Sequence, residues 1–97
     1  MVQTLKQTIE KAIHTFGKDM QLTVAVEEFS ELTKEICKYK RGADNLPHII
    51  EEMADCYIML EQMKIMFNIS EVALSLEKHK KIERLKQNIN IYEPLSH

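Results

Sequence analysis

Turn-forming residues are scarce: the 97-residue chain contains only two glycines and two prolines. Gly17, Gly42, Pro47 and Pro94 all fall at expected element boundaries, and a β-rich domain of this length needs more punctuation than that. Cysteine is scarce too. Cys37 and Cys56 form no CxxC pair, so both are expected as thiols acting as small hydrophobes within or beside apolar stripes. No apolar run reaches the length that spans a bilayer, and the N-terminus has no signal-peptide core, so a cytoplasmic chain with no membrane partner is expected. Nor is there an excess of positive charge. The formal net charge of -2 argues against nucleic acid as an electrostatically bound partner. Internal repeats, low-complexity tracts and linkers are all missing, so residues 1–97 are expected to form a single all-α domain.

What is present is helical periodicity. Leu5, Ile9, Ala12, Ile13 and Phe16 recur at three- and four-residue steps over Thr4–Phe16, with Gly17 as the stop. A second helix is expected from an Asp19 cap to Gly42, with Leu22, Ala25, Val26, Phe29, Leu32, Ile36 and Tyr39 as its core stripe and a basic last turn. Asp44 or Asn45 caps a third helix that holds Pro47 in its first turn and runs to about Phe67. Its apolar residues, from Ile49 to Met66, cover more than one stripe, and a four-helix bundle has too few helices to bury them all. A homo-oligomer built through the long helices follows as an expectation. Ser70 caps a fourth helix, apolar at intervals and basic in its second half. The tail, residues 88–97, carries Pro94 and is expected to lie extended.

Carboxylates are concentrated in two places. "VAVEEFSELTKEI" holds Glu27, Glu28, Glu31 and Glu35, and "IIEEMADCYIML" holds Glu51, Glu52 and Asp55. At about 100° per residue, Glu28, Glu31 and Glu35 form an acidic line beside the apolar stripe, whereas Glu27 turns further toward solvent. Glu52 and Asp55, three apart, border the apolar face of the next helix near Cys56, Met59 and Met63. A short loop makes these helices antiparallel neighbours. Carboxylates drawn together at a packed seam must be neutralised, by basic side chains or by a hard cation. An all-oxygen set without a Cys or His pair suits Mg²⁺ or Mn²⁺ rather than zinc. A solvated acidic face paired to Lys34 and Lys38 is the alternative.

"EEFSEL" followed by "IIEEMADCYIMLEQM" resembles the ExxE–ExxD signature of the MazG-like nucleoside triphosphate pyrophosphohydrolases. The likeness extends from "FGKDMQL" through "KYKRGADN" to "HKKIERLK". It implies an all-α enzyme in which Glu28, Glu31, Glu52 and Asp55 hold Mg²⁺, with Mn²⁺ as a substitute. It also implies hydrolysis of an NTP or dNTP to the monophosphate and pyrophosphate, in a dimer or tetramer. Lys81 and Arg84 match the basic substrate-binding position of the last long helix. Glu27 and Glu35 are unranked candidates for a base or supporting role. A catalytically inactive oligomerisation or nucleotide-sensing module of the same fold is the alternative.

Overall fold

Gly17 alone separates the first two helices. Its φ of 90° and ψ of 151° lie in a region that side chains with a Cβ avoid, which explains a glycine at this one-residue corner. The computed structural model describes residues 4–93, and these form α1 (Leu5–Phe16), α2 (Lys18–Lys40), α3 (Leu46–Met66) and α4 (Glu71–Tyr92). The expected all-helical class is therefore observed, and among the described residues there is no strand.

The helix starts differ in how they are capped. Thr4 and Gln7 form a reciprocal capping box at α1, and the Ser70 side chain accepts from the Ala73 amide at 3.0 Å. Asp19, expected as the cap of α2, lies instead in its first turn behind Gly17. Asn45 stands at the cap of α3 but makes no side-chain capping bond. At the end of α3, Asn68 takes a left-handed φ of 53°, which asparagine tolerates better than most residues.

The packed body is α1, α2 and α3, with the α2–α3 hairpin as its main seam. Ile9, Ala25, Cys56 and Met59 are its buried apolar residues, and Gln21, Glu35, Asn45 and Gln62 are buried among them. The expected stripe of α2 is only partly inside. Ala25 is buried and Leu22, Phe29 and Leu32 are half-buried, but Val26 is 65% and Tyr39 61% exposed, and Ile36 is also exposed. Leu5 and Phe16 at the two ends of α1 are likewise exposed.

α4 stands apart. It makes no close backbone approach to α1, α2 or α3, and none of its residues is buried. Its first turn is tied to the body through Glu71, which pairs with Lys64; Lys64 also pairs with Glu61 at 2.9 Å. The radius of gyration is 17.6 Å, against roughly 12–13 Å for a compact domain of this length. The tail expected to be extended from Asn88 is helical to Tyr92. Pro94 biases only its immediate predecessor away from helix, so the last turn survives up to it. Residues 94–97 lie outside the described part. No described helix is long and apolar enough to cross a membrane.

Candidate metal centre

The antiparallel α2–α3 hairpin sets the register of the acidic positions. The Cys56 thiol lies 3.5 Å from the main-chain oxygen of Glu28, as donor to it. This contact places Glu28 beside the turn of α3 that carries Asp55. One carboxylate oxygen from each of Glu28, Glu52 and Asp55 then lies within 4.8 Å of the others. Glu28 and Glu52 are half-buried.

The electrostatics follow from that crowding. The Glu28 carboxyl is raised to about 7 by its hydrogen bond with Asp55, then by burial, then by the charges of Asp55, Glu52 and Glu31. Burial, with Asp55 and Glu31 next, raises Glu52 as well. Glu52 Oε2 is buried without a hydrogen-bond partner. Among the described residues, no lysine, arginine or histidine forms an ion pair with any of the three. The cluster therefore holds acceptor capacity and negative charge that the chain does not itself neutralise. Carboxylate oxygens at this spacing, without sulfur or nitrogen ligands, have the donor chemistry that hard divalent cations take. Burial and then the neighbouring carboxylates raise the pKa of Cys56, whose thiol is directed to the Glu28 main-chain oxygen.

The remaining expected site residues fall in different places. Glu31 is exposed and outside the three-residue set, though close enough for its charge to raise Glu28 and Glu52. Lys81 and Arg84 are exposed on α4, whose separation from α2 and α3 keeps them from the cluster within one chain. Glu27 is exposed. His48 lies 3.6 Å from Glu51 across one turn at the surface.

Glu35 departs most from expectation. It lies on the same line as Glu28 and Glu31, yet it is only 7% exposed. Asn45 Nδ2 donates to its main-chain oxygen at 2.9 Å and lies 3.4 Å from its Oε1, while Lys38 Nζ is 3.3 Å from Oε2. Burial pushes this carboxyl up, but the Asn45 and Lys38 hydrogen bonds, the Lys38 charge and nearby His48 overcome it and leave it below the ordinary carboxylate range. Glu35 is thus a satisfied, tethered carboxylate. Periodicity carried no signal that separates it from Glu31.

Two clefts, of about 700 and 580 Å³, lie between α1 and the end of α3 and between α3 and the start of α4. Neither includes a residue of the carboxylate cluster. Compared with protein-family models, with curated proteins and with solved structures, the chain finds no match.

Proposed function

We propose that the chain is a Mg²⁺-dependent nucleoside triphosphate pyrophosphohydrolase of the MazG-like kind, hydrolysing an NTP or dNTP to the monophosphate and pyrophosphate. One observation carries the proposal: Glu28, Glu52 and Asp55 converge at a helix seam with no cationic side chain to neutralise them, and Glu52 Oε2 is buried and unpaired. Glu28, Glu52 and Asp55 would hold the cation, with Glu31 at the exposed rim. When bound, Mg²⁺ neutralises phosphate charge and acidifies water. The chain's own part is to fix the carboxylates before the substrate arrives and to accept a proton. Glu28, raised to about 7 by Asp55, burial and the neighbouring charges, would give up its proton as the cation takes its place, so the acceptor is another group.

The proposal includes a second copy of the chain. Leu76, 59% exposed, with Val72, Ile82, Leu85 and Ile89 on α4, and Ile50, Met53, Tyr57 and Leu60 on α3, leave two apolar surfaces open. A 22-residue helix without tertiary packing is marginal in water. A homo-oligomer covers both surfaces and can bring the basic half of α4, with Lys81 and Arg84, to another subunit's carboxylates. Arg84 would grip phosphate through its planar fork, Lys81 as a point charge.

The test is incubation of the protein with a panel of NTPs and dNTPs plus Mg²⁺, with pyrophosphate release followed. Turnover with at least one nucleotide is expected. No turnover, together with no effect of nucleotide and metal on the melting temperature, would leave only the inactive oligomerisation module.

A further inference from the structure

Asn45 occupies a position where asparagine ordinarily folds its side chain over its own helix. An Asn cap that accepts from the first-turn amides contributes about 1 kcal/mol. Here the backbone takes the capping position, with the Asn45 main-chain oxygen accepting from His48 N at 3.0 Å and Ile49 N at 3.1 Å. The side chain, however, turns back to α2 and donates to the Glu35 main-chain oxygen. The arrangement leaves Asn45 Oδ1 buried without a partner. A buried orphan acceptor costs free energy, so capping does not account for this rotamer; the buried Glu35 carboxylate and main-chain oxygen that Nδ2 meets offset that cost. The reverse orientation of the amide is worse, because it sets Oδ1 against a carbonyl oxygen and a carboxylate.

What the rotamer does achieve is registration. Asn45 and Cys56, both on the α3 side, each donate to a main-chain oxygen of α2: Asn45 to Glu35 and Cys56 to Glu28. The two acceptors lie about two helical turns apart on α2. Glu31 lies between them in sequence, and Glu52 lies between the two donors. The two contacts therefore bracket the carboxylate seam from either end. The thiol bond is long and weak, so the amide bond is the firmer of the pair. A slide of α3 along α2 separates Glu28 from Asp55, and a roll of α3 about its axis turns Glu52 away.

We infer that Asn45 is a positioning residue for the carboxylate cluster: its amide, anchored on the Glu35 carbonyl, holds the register of α3 on α2 that lets Glu28 meet Glu52 and Asp55. The role rests on the cation reading above. It assigns Asn45 no contact with substrate or cation.

Two variants separate positioning from stability. Asn45→Ser caps α3 at least as well but cannot reach α2, and Asn45→Ala removes the amide while leaving the residue-45 main-chain oxygen to accept from His48 and Ile49. Mn²⁺ binding to the whole chain is followed by electron paramagnetic resonance well below the melting temperature, with circular dichroism as the fold control. Both variants are expected to retain wild-type helicity and to bind Mn²⁺ at least about tenfold more weakly, the scale on which groups that orient ligands act. Wild-type affinity in Asn45→Ser overturns the inference, since the register would then be held without the amide. Loss of the fold in both variants overturns it equally, because Asn45 would then serve general stability. If the unaltered chain binds Mn²⁺ no better than Glu52→Gln does, the site reading itself fails, and that result appears before any Asn45 variant is made.

Discussion

The α2–α3 hairpin and α4 break the usual partition of polar and apolar residues in opposite directions. In the hairpin, Glu35, Asn45 and one oxygen of Glu52 are buried. Along α4, Val72, Leu76, Ile82, Leu85 and Ile89 are exposed. A buried polar group is unremarkable when paired, as Glu35 is by Asn45 and Lys38, and informative when it is not, as with Glu52 Oε2. A row of exposed apolar residues on an unpacked helix is informative in the same way. The two regions leave different groups uncovered: a carboxylate oxygen without a partner in the hairpin, and apolar side chains along α4. The proposal fills the first with a cation and the second with another copy of the chain.

The sharpest way to break the comparison is at the carboxylates. Glu52→Gln or Asp55→Asn should lower pyrophosphate release by at least about a hundredfold, the scale for removing a group aimed at developing charge, while circular dichroism stays unchanged. Full activity in both variants would remove the hairpin's claim to a site. The α4 side is tested by Leu76→Asp, which puts a charge into the proposed contact. Sedimentation should show self-association weakened by about a hundredfold, equivalent to roughly 2.7 kcal/mol. Unaltered mass at all concentrations would mean that α4 is not the contact.

A smaller effect concerns pH. The folded Glu28 carboxyl titrates at about 7, above its ordinary value of 4.5. The folded state therefore binds more protons than the unfolded state between those values. Its contribution is fully present below 4.5 and is lost as pH rises toward and through 7. Metal-free protein should melt a few degrees lower at pH 8 than at pH 5, and Mg²⁺ should restore the loss at pH 8 but act weakly at pH 5. Glu28→Gln should flatten this dependence. Glu35, held below its ordinary range, acts in the opposite sense and only in more acid solution. The smallest effect contrasts two caps. Ser70→Ala removes the bond to the Ala73 amide and should cost about 1 kcal/mol in urea denaturation, without altering Mn²⁺ affinity. Asn45→Ser, by contrast, is expected to change Mn²⁺ affinity.

Much of the helical framework is legible in the sequence. The helices around Gly17, Gly42 and Ser70 lie within a few residues of expectation, because each boundary has a local cause. Spacing places the acidic edges of α2 and α3 on neighbouring helices but leaves a solvated face open; the set Glu28, Glu31, Glu52 and Asp55 comes from the resemblance, and the structure groups three of the four. The end of α4 did not follow. Pro94 suggests an extended tail from Asn88, whereas the turn ending at Tyr92 needs nothing from Pro94 to remain helical. Nor could periodicity separate Glu31 from Glu35. Both lie on one line of α2, and only the position of Asn45 across the loop decides which carboxylate is enclosed.

Interactions within a few residues set the four helices, the cap at Ser70 and the two acidic edges, and these are written in the sequence. Tertiary structure alone decided that Glu35 is tethered while Glu52 keeps an unpaired oxygen. It also decided that Asn45 reaches back instead of capping, and that α4 projects from the body. These outcomes depend on how one helix is registered and crossed against another, and a helical repeat carries no record of its neighbour's rotation.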